Sequence, residues 1–132
     1  MIVLLCVVIS LFDFRESVYC RRGSWDFWSG INDPVIKCFP ILQAVSEPEY
    51  HWSCGDGPKL PSQAVSYRSN LPAIELLKSV QPYIAYHGFS PVVNENSDGF
   101  AFIKDRNTFY LNIKPAGDGC TILSAEAHYD SY

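Results

Sequence analysis

The chain has 132 residues, of which 48% are hydrophobic, 14% aromatic and 18% charged, with a formal charge of −4. This length accommodates one core and not two, and the apolar content excludes wholesale disorder. The 10 bases stand singly among 14 acids, apart from Arg21-Arg22, which excludes the clustered cations of a nucleic-acid surface.

Ile2–Phe12 (IVLLCVVISLF) is an almost unbroken apolar run. It has the length of a signal-peptide core and falls short of the roughly 18 to 20 residues that span a bilayer. No Lys or Arg precedes it, and no small-x-small cleavage site follows it. Its Val and Ile content suits a buried strand equally well. Residues 1–20 are therefore an apolar leader, an anchor or a first strand, and residues 21–132 form a single domain. As a leader or anchor, the run directs the chain to the extracellular space, the periplasm or the envelope, with residues 2–12 as its membrane contact. As a buried strand, it leaves the chain cytoplasmic.

Apart from Cys6 in the run, the cysteines are Cys20, Cys38, Cys54 and Cys120, an even set with three possible pairings. Two disulfides suit an oxidising compartment, whereas free buried thiols suit the cytosol. Neither Cys6 nor Cys20 follows the small residue of a bacterial lipid-attachment site.

The segment from Arg21 to about Ser69 is rich in Pro, Gly, Trp and Cys and reads as irregular. Trp25, Phe27 and Trp28 crowd into SWDFWSG. If exposed, these rings suit a binding surface or a membrane interface; the reading favoured is that they are buried and staple the segment onto a sheet. Val35–Val45 could hold a short strand, which Pro40 breaks or confines to an edge. Gly55–Pro61 is a turn by composition. A Cys38–Cys54 bond would close a loop here and stabilise it by about 3 kcal/mol.

His51-Trp52-Ser53-Cys54-Gly55-Asp56-Gly57 places a thiol before a Gly-rich turn, near an imidazole and a carboxylate. A cysteine hydrolase needs a His-activated thiolate and backbone oxyanion donors, so Cys54 with His51, His87 or His128 is the enzyme alternative. A cystine beside a loop explains the same residues without chemistry. His87 falls in the last turn of a helix, where a cation is favourable, and His128 on a solvent face. His51, Cys54, Cys38 and Cys120 could surround zinc, but no paired C-x-x-C or H-x-x-x-H supports that set. Glu47 and Glu49 flank Pro48 without defining a glycosidase pair. No phosphate-cradling loop, dinucleotide fingerprint or Ser-His-Asp order implies a cofactor or an enzyme class.

From Asn70 the pattern is regular. Asn70 is a candidate N-cap, and Leu71, Ile74, Leu77, Val80 and Ile84 recur at the helical period up to Gly88, with a kink or break expected at Pro82. The period then changes to two. Phe100 and Phe102 lead into the turn Asp105-Arg106-Asn107, and Phe109, Leu111 and Ile113 follow on one face. After a second turn at Pro115–Gly119, Leu123, Ala125, Ala127 and Tyr129 share one face and Ile122, Ser124, Glu126 and His128 the other. The fold class is α+β: an antiparallel meander of three to five strands against one kinked helix, with an irregular Cys/Trp-rich N-terminal half.

A helix ending in Gly88-Phe89, a polar turn and a three-strand meander with a late cysteine resemble the small exported lipoproteins of unknown function found in actinobacteria. The resemblance covers roughly residues 69–129, implies export and carries over no functional residue. The function expected is a non-enzymatic, exported or envelope-anchored binding or accessory module that acts on a protein partner, as an inhibitor, an immunity-type protein or a complex subunit.

Overall fold

A computed structural model describes residues 17–55, 60–92 and 99–130. The run Ile2–Phe12 and the Asp56-Gly57 portion of the Gly-rich turn lie outside the described residues. The elements in chain order are β1 (Ser17–Arg21), α1 (Trp25–Gly30), α2 (Pro34–Lys37), β2 (Glu49–Ser53), β3 (Ser62–Ser69), α3 (Ala73–Tyr86), β4 (Ser90–Val92), β5 (Phe100–Lys104), β6 (Asn107–Pro115) and β7 (Thr121–His128). The expected α+β class is therefore observed, but with seven described strands rather than three to five. All lie in one sheet of order β1-β2-β3-β7-β6-β5-β4, with every neighbour antiparallel. Among the described residues no helix is long and apolar enough to cross a membrane.

The order describes two meanders joined by a crossing helix. Strands β1 to β3 run out from one edge; α3 then carries the chain to the far edge, and β4 to β7 return until β7 pairs with β3. Both central strands alternate buried and half-exposed residues, so the pleat sends one set inward. Val65 opposite Ala125 and Tyr67 opposite Leu123 thus lie on the helix-covered face, in the core with Phe27, Ile36, Leu76 and Phe109.

The N-terminal half is more regular than its composition suggests. In place of an edge strand over Val35–Val45, Pro34–Lys37 form a helical turn, and only Ala44 makes a β-bridge, to Ser69. Asp33 starts that turn by accepting the Val35 N–H at 2.8 Å, with Pro34 at a position where its missing N–H costs nothing. No disulfide joins Cys20, Cys38, Cys54 or Cys120 in the structure, so the expected Cys38–Cys54 link is not what fastens this zone. Strand pairing and buried polar contacts do so: Gln63 Oε1 accepts the N–H groups of Asn32 and Asp33 at 3.1 and 3.0 Å, and the Tyr67 hydroxyl donates to the Pro40 carbonyl at 3.0 Å.

Helix α3 starts later than expected, and of the expected stripe Val80 and Ile84 are buried, Leu71 and Leu77 pack half-buried against the core, and Ile74 does not join them. Pro72 precedes its first turn, and no side chain caps it; the Asn70 N–H instead bonds the Gln43 carbonyl at 3.0 Å. Leu76, Val80 and Ile84 are the buried stripe, whereas Ile74 is 59% exposed. The helix runs unbroken through Pro82, which faces solvent, where water can satisfy the Lys78 carbonyl left without its donor. It stops as expected at Gly88, whose φ of +88° suits a residue lacking a β-carbon, with the Phe89 N–H closing onto Ile84 at 3.3 Å.

Candidate functional site

The helices α1, α2 and α3 pack on one face of the sheet, and the pleat sends the alternate residues of every strand to the other. The antiparallel register aligns these into a transverse row. Tyr19 lies opposite His51, His51 opposite Ala64, Ala64 opposite Glu126, and Glu126 opposite Tyr110. Small residues, Ala64 and Ser124, occupy the middle of this face and aromatic rings the ends, so the surface is a trough with raised rims. Tyr19, Glu49, His51, Ala64, Ser124 and Glu126 surround a hollow of about 210 Å³. A second hollow of about 250 Å³ continues from Ser124 and Glu126 to Gly99, Tyr110 and Asn112. Gly99 is needed there, because a β-carbon would lie 2.9 Å from the Leu111 carbonyl oxygen.

Glu126 is the common wall of both hollows. Its Oε1 lies 2.9 Å from His128 Nε2, two residues along the same strand and therefore on the same face. The hydrogen bond with His128 holds the Glu126 carboxyl below the usual range, against the opposing effect of partial burial. The His128 and His51 charges and the Ser62 side chain act in the same direction. Each histidine also meets a tyrosine: Tyr19 and His51 have ring centroids 4.3 Å apart, and Tyr110 meets His128 edge-on at 5.3 Å. The floor thus offers an ionised carboxylate and the rims offer two partly exposed phenol rings.

The residues singled out from the sequence are dispersed. Cys54 lines a different hollow, with Trp52, Gln63 and Tyr129, on the helix-covered side, while His51 lines the open trough. His128 is on the open face as well. His87 caps α3 and packs against Tyr83 and Tyr86. Cys38 ends α2 and is exposed, Cys20 is buried on β1, and Cys120 precedes β7 with its sulfur 3.9 Å from Asn70 Oδ1. Among the described residues no three His, Cys, Asp or Glu side chains converge to hold a metal ion. Glu47 sits in a loop, bonded to Arg21 at 3.1 Å, whereas Glu49 borders the trough.

The aromatic cluster requires a correction. Phe27 is buried and packs edge-on against Tyr50 at 4.8 Å, but Trp25 is 83% and Trp28 61% exposed, where burial of all three was expected. A six-residue helix has one inward stripe, and Phe27 fills it. The sequence did place Glu126 and His128 together on one face. It gave no sign that Tyr19 and Tyr110 would join them, because that depends on strand order.

The chain matches no family model, no curated protein and no solved structure.

Proposed function

We propose that this chain is an exported or envelope-anchored binding module, not an enzyme, and that it engages a protein partner through the open face of its sheet. The observation that carries this reading is the row from Tyr19 to Tyr110, two tyrosines flanking Glu126 across five strands. Tyrosine joins rigid apolar area to a polar tip and is enriched in protein interfaces. Glu126 and Glu49 add negative charge to the trough, so the partner presents an Arg or Lys that sits against the rings and bonds the carboxylate. The hollows are shallow and broad, the form of a contact surface more than of an enclosed substrate pocket. The apolar run Ile2–Phe12 and the resemblance to exported lipoproteins support placement outside the cytoplasm.

The test is a photo-reactive amino acid placed singly at Tyr19, Tyr110 and Ile74 of the full chain in its source cell. Tyr19 and Tyr110 should cross-link to one and the same protein, and Ile74, on the helix side, should not. Equal cross-linking from all three positions, or none from the two tyrosine positions, would remove the open face as the contact surface.

A further inference from the structure

We propose a second interaction surface on the opposite side of the sheet: α1 rests on an anionic lipid surface, with the Trp25 and Trp28 indoles at the level of the headgroups. It is independent of the protein-partner reading, because the two surfaces lie on opposite faces.

Trp25 and Trp28 are three residues apart, so they share one face of α1, and Phe27 fixes that face outward by inserting into the core against Tyr50. A tryptophan combines the largest apolar side chain with one N–H donor, a combination that favours the boundary between lipid and water. The neighbouring charges suit anionic headgroups. Lys37 Nζ stands 4.9 Å over the Trp28 ring, and Arg22 donates to the Lys37 carbonyl at 3.0 Å, which brings two cations to the Trp28 side of α1, whose one acid is Asp26. Arg21 points to the other face, where it is bonded to Glu47.

In the sequence Ile2–Phe12 precedes β1, the edge strand on which α1 packs. Where that run contacts the membrane, as proposed above, a second signal makes the attachment more stable. The indole and cation patch lies on the same edge and supplies that signal. The trough on the far face then points away from the lipid and stays open to its partner.

The experiment uses the full chain and vesicles of phosphatidylcholine with or without phosphatidylserine, their acyl chains brominated to quench indole fluorescence on contact. Binding to the anionic vesicles should quench the emission of Trp25 and Trp28, and replacing both by Ser should abolish the quenching and weaken partitioning about tenfold. Because both rings are exposed, the double variant should melt at the wild-type temperature. A second pair, Arg22→Glu with Lys37→Glu, keeps both indoles in the chain and should weaken binding to anionic vesicles about tenfold while leaving phosphatidylcholine binding unchanged. Vesicle binding without quenching would assign attachment to residues 2–12 alone and overturn the proposal. So would equal partitioning of the wild type and both variants, no partitioning at all, or loss of a protein partner with vesicle binding intact.

Discussion

Glu126 is half-buried beside His128, and two opposing effects act on its carboxyl. Burial favours the neutral acid, and the hydrogen bond from His128, with the charges of both histidines, favours the anion more strongly. Because the folded value is depressed, its contribution to stability is present above the ordinary 4.5 and is lost as pH falls through the lowered value. His128→Ala should leave burial unopposed by its largest counterweight and move the Glu126 midpoint upward; a carboxyl NMR titration that finds the midpoint unmoved would contradict this assignment. Cys20 illustrates burial acting on a thiol. Desolvation, then the charge of Asp26, raises it despite a hydrogen bond from Ser24, so its thiolate is scarce. Cys38 is exposed. Under native conditions with reductant, Cys20 should alkylate at least about tenfold more slowly than Cys38, and the difference should vanish on unfolding. Equal native rates would show that Cys20 is not protected by the packing of α1.

At the scale of elements, α3 shows where reading by period goes astray. Leu71, Ile74, Leu77, Val80 and Ile84 fit one helical stripe, but Leu76, Val80 and Ile84 fit another, and adjacent leucines at 76 and 77 let both arcs look apolar. The structure buries Leu76 completely and leaves Ile74 over a hollow shared with Phe100 and Ile113. Leu76→Ala should therefore cost about 2 to 5 kcal/mol and Ile74→Ala less than about 0.5 kcal/mol in denaturant unfolding. The reverse ranking would restore the stripe expected from sequence. Helix α1 offers a sharper test, because a β-carbon on Gly30 would lie 2.0 Å from Trp52 Nε1. Gly30→Ala should displace that ring and destabilise the fold by about 1 to 3 kcal/mol.

The strands show the same division between legible and hidden. Strands β5 to β7 were readable because Phe109, Leu111, Leu123 and Ala125 put apolar side chains on every second position. Strand β3 was not, since Gln63 and Ser69 occupy two of its inward positions and serve nearby backbone groups by hydrogen bonding instead of filling an apolar core. Strand β2 hid behind the cysteine and glycine of the loop that follows it.

For the whole molecule, the sheet separates two environments. One face is closed by three helices around a core, and the other gathers residues from both halves of the sequence into a single trough. No window along the chain contains Tyr19, His51, Tyr110 and Glu126 together; pairing of β3 with β7 makes them neighbours, which is why the site could not be read from motifs. A binding role through the open face requires that this face be occupied in the native setting. Hydroxyl-radical footprinting compares labelling of the full chain in its source cells with labelling of the purified protein, using exposed Tyr86 on α3 as the internal reference. With the open face occupied, Tyr19 and Tyr110 should be labelled several-fold less in the cell while Tyr86 is labelled equally; equal labelling of all three tyrosines in both settings would show the face to be unoccupied.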